Sequence, residues 1–217
     1  MSPSADVLVE DGTIAEASTL GVSPDDLTER LDVNRMHVAA RLVDAHSRSD
    51  NGPLRDEPGR GNVLQGVTCE VVGDCALSLS SRTPEQRAAG EHHRGRFFLP
   101  TRFAGRRSPS YSRRPTPAAT QRWSSTWTTA EVVRRMTSLP AETLSIEGIG
   151  LVEPGYRADS VVFDRATVSD WAAYANPHAA PVDIRDVFVS GTHVVPDRRH
   201  TGVLAGRRLA LTARELA

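Results

Sequence analysis

The feature that most constrains the fold is a central segment, residues 82–127, in which apolar residues follow no regular spacing. The segment shows neither the 3.6-residue period of an amphipathic helix nor the two-residue period of a strand. It is rich in Ser, Thr and Pro, and its many Arg residues are opposed only by Glu85 and Glu91. Such a composition buries too little apolar surface to offset the entropy cost of ordering. We therefore predict an irregular or disordered segment, with ordered structure before it and from Thr128 onward.

The composition of the whole chain limits the classes of function. Its 217 residues and formal net charge of -1 suit one domain or two small ones, with no general attraction to nucleic acid or membranes. No secretory signal and no apolar run of ~18 residues is found, so we expect a cytoplasmic protein without a membrane span. Cys69 and Cys75 are too few for a disulfide scaffold. All 26 basic residues are Arg, which excludes a Lys nucleophile or a carboxylated Lys between metals.

Two hairpins are predicted from turn dipeptides that stand between alternating apolar residues. The first covers residues 6–16, with Asp-Gly at positions 11–12, and the second covers residues 184–195, with Ser-Gly at positions 190–191. Both dipeptides suit the two-residue turns that join antiparallel strands. A turn followed by a further strand is predicted over residues 154–164.

Two buried strands are predicted before the central segment. Residues 37–46, HVAARLVDAH, indicate a strand that ends at His46. Residues 66–74, GVTCEVVGD, indicate a second strand because β-branched residues follow a Gly and a Gly-Asp pair ends the run. A short helical or loop crossover is expected over residues 59–66.

A helix is predicted at the point where regular spacing resumes. Thr128 and Glu131 have the spacing of a capping box at its N-terminus. Pro140 is predicted to end this helix and to begin a second, short one. The apolar face of the first helix is predicted to consist of Val132, Val133, Met136 and Leu139.

His46 is the first candidate metal ligand, because it lies at the predicted end of a strand. Residues i and i+2 of a strand face the same way, so a His-x-His pair at such an end presents two imidazoles to one metal ion. Position 48 is Arg48, which stays protonated, cannot be a ligand and repels a divalent cation. On local sequence alone, a structural or solvated role for His46 is the commoner one.

Cys75 is the second candidate ligand, since it follows a buried strand and a Gly-Asp turn. Sites form at the carboxyl ends of strands in α/β sheets and barrels, and a thiolate can bind zinc. The alternative is a small buried hydrophobic residue, which is the usual role of an unpaired cysteine. Cys69 lies inside the strand and is predicted to be a core residue.

The Arg-rich segment 82–127 has the charge of a nucleic-acid-binding arm. Its six aromatic residues follow no stacking pattern, however, so we favour a solvated segment over nucleic-acid binding. His92 and His93 within it could bind a metal ion adventitiously. His178, His193 and His200 have no paired ligand spacing.

Taken together, several separated blocks resemble the N-acyl-D-amino-acid deacylases, or D-aminoacylases, of the amidohydrolase superfamily. The block LVDAHSRSD resembles a family block that normally reads Asp-x-His-x-His-Ser-Asp, and VVGDC resembles the usual Val-Val-Gly-Asn-Cys. From Ala130 the resemblance is nearly continuous. The blocks in this part are AEVVRRMTSLPAETL, GLVEPGYRADSVVFD, NPHAAPVDIRDVFVSGTHVV and HTGVLAGRRL.

The resemblance implies an α/β fold, in which a metal-dependent (β/α)8 barrel is joined to a β-sandwich assembled from both chain ends. It also implies a hydrolase that acts on carbon–nitrogen bonds other than peptide bonds. In the family, a zinc-bound water attacks the amide of a small-molecule N-acyl-D-amino acid. Bound zinc lowers the pKa of its water and polarises the carbonyl. His46 and Cys75 match the metal ligands of the family, whereas Arg48 stands where the second His is expected.

The length of the chain conflicts with a complete barrel. Such a barrel takes about 250 residues, and far fewer separate His46 from Thr128. The resemblance also implies further His ligands and an Asp that acts as general base, later in the barrel. No block that matches them is found between residues 80 and 130, so no catalytic residue is predicted. We interpret the abrupt return of the pattern at Thr128 as a deletion junction, and the segment before it as a possible frameshifted stretch. The other two reading frames of the gene across codons 82–127 would test this hypothesis.

The predicted architecture is therefore a discontinuous β-sandwich with the first βα elements of an incomplete barrel. We expect a truncated, degenerate amidohydrolase with little or no activity, and zinc as the cofactor of the family. One alternative is a small working enzyme whose zinc site uses His46, Cys75 and His92 or His93. Another is a non-catalytic binding module whose Arg-rich segment engages an acidic partner. The predicted parts are a sandwich (1–43 and 138–217), a barrel remnant (44–81), the Arg-rich segment (82–127) and a last barrel-type helix (128–139).

Overall fold

The computed structural model describes the chain as small sheets with a few short helices. The described residues are 5–19, 29–47, 60–72, 127–169, 171, 176, 179, 181–207 and 209. They fall into two units: residues 45–47, 70–72 and 127 form part of one unit, and the other described residues belong to the second. The strands are β1 (Asp6–Glu10), β2 (Thr13–Ser18), β3 (His37–Ala40), β4 (Leu42–Asp44), β5 (Val67–Glu70), β6 (Ser160–Phe163), β7 (Ile184–Val189) and β8 (Thr192–Val195). The helices are α1 (Arg60–Leu64), α2 (Thr129–Met136) and α3 (Ser138–Thr143).

Both predicted hairpins are confirmed. β1 pairs antiparallel with β2, and the turn residues Asp11 and Gly12 have φ values of 47° and 75°. β7 pairs antiparallel with β8 across Ser190 and Gly191, whose φ values are 49° and 75°. Two consecutive positive φ values give the turn that matches the natural twist of the flanking strands. The local sequence was sufficient to predict these elements.

A four-stranded sheet joins the two halves of the chain in the order β3-β6-β7-β8. β3, which precedes the central segment, pairs antiparallel with β6, which follows it. The Val-rich faces of the sheet carry its core, because burial of these side chains removes apolar surface from water. The buried core cluster consists of Ala39, Val161, Val187, Val189, Val194 and Val195.

The single strand predicted over residues 37–46 is wrong. It is divided at Arg41 into β3 and β4, which belong to different sheets. The backbone N–H of Arg41 donates to the carbonyl of Asp159, whereas that of Leu42 donates to the carbonyl of Gly66. The chain therefore changes its hydrogen-bonding partner within two residues. β4 ends at Asp44, so His46 lies in the following turn and not on the strand.

The second buried strand and the short helix before it are confirmed as β5 and α1. β5 forms a two-stranded sheet with β4. Cys69 is 7% exposed and packs in a small cluster with Ala141 and Ile149, which confirms its predicted core role.

The predicted helix begins as expected and ends earlier than expected. The Thr128 hydroxyl accepts a hydrogen bond from the backbone N–H of Glu131 at 3.3 Å, which caps α2. The helix breaks at Thr137, three residues before Pro140, and α3 begins at Ser138. The predicted stop and start at Pro140 are therefore wrong. Proline's fixed φ and missing N–H are tolerated in the first turn of a helix, where Pro140 lies in α3.

The predicted apolar face of α2 is only partly buried. Val133 packs against the core of the four-stranded sheet, whereas Val132 and Met136 are 38% and 43% exposed. Val133 therefore anchors this helix, and the other two side chains of the apolar face are exposed.

The cap on α2 can be tested directly. Replacing Thr128 with Ala should lower the free energy of unfolding by about 1 kcal/mol, because it removes the acceptor for an N–H in the first turn. Replacing Thr128 with Ser, which keeps the hydroxyl, should restore most of this loss. Urea denaturation followed by circular dichroism measures both values. Equal stability of the Ala and Ser variants would show that the cap contributes nothing.

Residues 82–126, Arg48 and Cys75 lie outside the described residues. The predictions of an irregular segment and of a Cys75 metal ligand therefore stay predictions. Among the described residues, no helix combines the length and apolar character that crossing a membrane requires.

Candidate functional site

His46 lies on an exposed turn immediately after β4. The next residue, Ser47, is 2% exposed, and its backbone N–H donates to the carbonyl of Val71 at 3.1 Å. This hydrogen bond fixes the backbone beside His46 after the strand has ended. The predicted partner Cys75 lies outside the described residues, so the pairing of the two ligands stays a prediction.

The described residues do not fit a catalytic zinc site. Such a site normally takes three protein ligands and leaves one position for water or substrate. In the described part of the chain, no group of three or more His, Cys, Asp or Glu residues is arranged to hold a metal ion. His46 is the one predicted ligand that these residues include. No catalytic step through a metal ion follows from this geometry.

Two further histidines in the described region have structural roles. The Nε2 atom of His193 lies 2.9 Å from Oδ1 of Asp186, and its ring stacks on Phe188 with the centroids 4.2 Å apart. His200 accepts a hydrogen bond through Nδ1 from the backbone N–H of Gly202 at 3.0 Å. The imidazole groups therefore stabilise the β7–β8 hairpin and the loop after it.

Asp159 is a buried side chain with three hydrogen-bond partners, and the sequence indicated it only as part of a family-like block. Its side chain is 1% exposed. Oδ2 accepts hydrogen bonds from Nη2 of Arg41 and from Nε of Arg157, the latter at 3.1 Å. Oδ1 accepts the backbone N–H of Ser190 at 2.8 Å. One carboxylate therefore joins the β3–β4 junction, the segment before β6 and the β7–β8 turn.

Arg157 reinforces this connection. Its Nη2 donates to the hydroxyl of Ser190 at 2.5 Å, so the guanidinium bridges Asp159 and the β7–β8 turn. The pKa of Arg157 is lowered, first by burial and then by the nearby charges of Arg41 and Arg207, against the opposing effect of Asp159. The cluster therefore carries more positive than negative charge. We name the side chains of Arg41, Arg157, Asp159 and Ser190 the Asp159 cluster.

The backbone beside Asp159 forms a connector between the two hairpins. The backbone N–H of Ile14 donates to the carbonyl of Tyr156, and the carbonyl of Ile14 accepts from the N–H of Gly155. The N–H of Ala158 donates to the carbonyl of Gly12 at 2.9 Å, and the carbonyl of Ala158 accepts from the N–H of Gly191 at 2.8 Å. The block GYRAD thus has a structural role here: it holds the two hairpin turns together.

A concave surface lies beside α3. It has a volume of about 320 Å³, and its polar lining includes Glu142, Glu147 and Tyr156. His46 is not among the described residues that line this surface. It provides carboxylates and a phenol but no set of metal donors among the described residues.

Comparison with known proteins relates parts of the chain to the deacylases, although no family model matches it. The D-aminoacylase of Alcaligenes xylosoxydans xylosoxydans is 43% identical over 81 residues, which cover 37% of this chain and 17% of that protein. The N-acyl-D-aspartate deacylase of the same organism is 35% identical over 78 residues, covering 36% and 16%. The crystal structure of N-acyl-D-glutamate deacylase from Bordetella bronchiseptica, complexed with zinc and a phosphonate inhibitor, is 41% identical. This match covers 34% of the present chain and 16% of the Bordetella bronchiseptica chain, with a TM-score of 0.32.

The crystal structure of D-aminoacylase, which is 43% identical over 36% of this chain with a TM-score of 0.36, is described as defining a novel subset of amidohydrolases. Within that class, the similarity is to the N-acyl-D-amino-acid deacylases, and it covers about 36% of the chain. The resemblance predicted from the sequence is therefore confirmed for that region. The chain spans only 17% of the length of the D-aminoacylase that it matches.

Proposed function

We propose that the chain is a truncated, degenerate protein of the amidohydrolase type, derived from a metal-dependent N-acyl-D-amino-acid deacylase and with little or no activity of its own. The observation that carries this proposal is the 43% identity to D-aminoacylase over a region that covers only 17% of that enzyme. The ancestral reaction would be the hydrolysis of a non-peptide carbon–nitrogen bond in a small N-acyl-D-amino acid.

The proposed architecture is a discontinuous β-sandwich, made from residues 1–43 and 138–217, next to an incomplete (β/α)8 barrel. Two contacts support an assembly from both chain ends. β3 pairs with β6, and the turn at Gly12 is hydrogen-bonded through Ala158 to the turn at Gly191. Residues 44–81 would be the remnant of the first two barrel strands, and residues 128–139 the last helix of the barrel.

The proposed metal chemistry rests on the donor types and on the relatives. A deacylase with zinc and a phosphonate mimic of the tetrahedral intermediate is among the similar structures. His46 and Cys75 are chemically suited to zinc, which would activate a water molecule in a complete site. Two donors are fewer than a catalytic zinc normally has, and Arg48 would repel the ion. We therefore propose that the ancestral site has lost its function.

Zinc content and deacylase activity test this proposal. The purified chain, supplied with zinc and then dialysed, should retain less than about a tenth of an equivalent, because two donors do not complete a catalytic site. It should release no D-amino acid from N-acetyl-D-amino acids above a blank. The variant Arg48→His, which restores the His-x-His pair, should retain more zinc than the parent chain. One equivalent of zinc together with hydrolysis by the parent chain would overturn the proposal.

The alternative function is a non-catalytic binding module. It depends on the excess of Arg in residues 82–127, which could engage an acidic partner through charge. The irregular spacing of the aromatic residues gives no support to nucleic acid as that partner. We favour the deacylase-derived assignment because it rests on sequence identity in addition to composition.

We also propose a cytoplasmic location. Cys69 is buried, and the two cysteines of the sequence are too few for a disulfide framework. Small proteins of oxidising compartments are commonly rich in disulfides, whereas thiols are kept reduced in the cytosol.

A further inference from the structure

The Asp159 cluster contains two guanidinium groups and one carboxylate. Arg41 and Arg157 both donate to Oδ2 of Asp159, whose other oxygen accepts the N–H of Ser190. The ionised side chains therefore carry a formal charge of about +1 in a region almost shielded from water, since Arg remains protonated. A buried charge without a counter-ion is unfavourable.

The same two side chains hold unused hydrogen-bond donors. Nε of Arg41 and Nη1 of Arg157 are buried, and neither has a hydrogen-bond partner among the described residues. The Arg41 side chain is 3% exposed, and that of Arg157 is 14% exposed. Buried donors in native proteins are nearly always paired, so these two indicate a missing acceptor.

Arg207 is an exposed arginine whose positive charge acts on Arg157 of this cluster. It lies between Ala205, which packs on the core of the four-stranded sheet, and Leu209, which packs near Cys69. Its charge contributes to lowering the pKa of Arg157. In the described part of the chain, Asp159 is the one carboxylate that pairs with Arg157, and Arg207 makes no ion pair.

We propose that Arg157 and Arg207, supported by Arg41, form a binding site for a small oxyanion, either a carboxylate or a phosphate. An oxyanion would balance the excess positive charge and accept hydrogen bonds from the guanidinium groups. Planar guanidinium groups bind both kinds of anion through paired, charge-assisted hydrogen bonds. Arg207 is exposed, and the partial exposure of Arg157 gives the anion a route from solvent. The site uses neither of the proposed metal ligands and does not depend on deacylase ancestry.

Thermal unfolding of the full chain in inorganic phosphate or in acetate tests this site. Sodium chloride keeps the ionic strength constant. We expect the melting temperature to rise and to saturate at millimolar anion, because a ligand that binds only the folded state stabilises it. The variant Arg207→Gln should need about tenfold more anion for half of the effect, since it loses one charged contact. Arg165→Gln, an exposed arginine beyond the opposite end of β6, is the matched control and should respond like the parent chain.

The outcomes separate the proposal from general salt effects. A saturating response that is weakened in Arg207→Gln and kept in Arg165→Gln supports the site. A response to acetate alone assigns a carboxylate, and a response to phosphate alone assigns a phosphoryl group. Identical melting in chloride and in both oxyanions would overturn the proposal. A non-saturating rise that is equal in both variants would overturn it too, because excluded salts stabilise proteins in that way.

Discussion

Replacement of Asp159 by Asn is expected to lower the free energy of unfolding by about 3–5 kcal/mol, the largest effect of any substitution considered. Removing one partner of a buried ion pair leaves the other charge uncompensated, and this costs more than the pair itself contributed. Here two cations depend on the same carboxylate, and Arg41 is almost fully buried. In either orientation, the amide of Asn would also turn an N–H donor toward a group that needs an acceptor, either the guanidinium groups or the backbone N–H of Ser190.

Urea denaturation, followed by circular dichroism, measures this loss. The matched control is Asp183→Asn, because Asp183 pairs with Arg198 at 3.5 Å in a partly exposed position. That change should cost less than about 1 kcal/mol, since exposed ion pairs contribute little. If Asp159→Asn proves too unstable to purify, the fraction of soluble protein at low temperature replaces the measurement. Equal stability of the two variants would show that the Asp159 cluster does not hold the chain ends together.

Replacement of Gly12 by Ala is expected to cost about 2–4 kcal/mol, because two effects add. The backbone of Gly12 has a φ of +75°, a conformation that residues with a Cβ atom rarely adopt. A Cβ atom at this position would also lie 2.8 Å from the carbonyl oxygen of Ser190. This oxygen belongs to the backbone of the opposing turn, so the two hairpins would have to separate.

Gly148→Ala separates these two effects. Gly148 has a similar φ of +70°, but no atom lies within 4 Å of the position that a Cβ atom would take. Its cost should therefore be about 1–2 kcal/mol, from the left-handed backbone alone. The difference between the two variants, measured by urea denaturation, reports the contact between the hairpins. A Gly12→Ala variant as stable as Gly148→Ala would argue against a close approach of the two turns.

The elements predicted correctly are those whose causes are local. The Asp11–Gly12 and Ser190–Gly191 turns depend on residues that accept positive φ, and such residues are visible in the sequence. The cap at Thr128 depends on a hydroxyl that accepts a hydrogen bond from the N–H of Glu131, only three residues later. In each case the interacting groups are neighbours along the chain, so the local pattern contains the information.

The elements predicted wrongly depend on distant partners. Arg41 ends β3 because its side chain and backbone both bond to Asp159, which is 118 residues away in the sequence. Val132 and Met136 lie on the apolar face of α2 but are exposed. The spacing of apolar residues therefore predicts the face of a helix, but it does not predict how much of that face another element covers. The break at Thr137 arises before Pro140, so the proline did not set the helix end.

The sequence by itself determined the resemblance to the N-acyl-D-amino-acid deacylases, the candidate ligand His46 and the cation at position 48 that conflicts with it. It determined these because ligand types, charges and motif blocks are properties of single residues and their spacing. Only the tertiary structure decided that His46 lies on a turn beyond its strand and that Asp159 gathers Arg41, Arg157 and Ser190. The physical reason is that burial and the pairing of charges are settled between segments distant in sequence, where no local pattern specifies the partner.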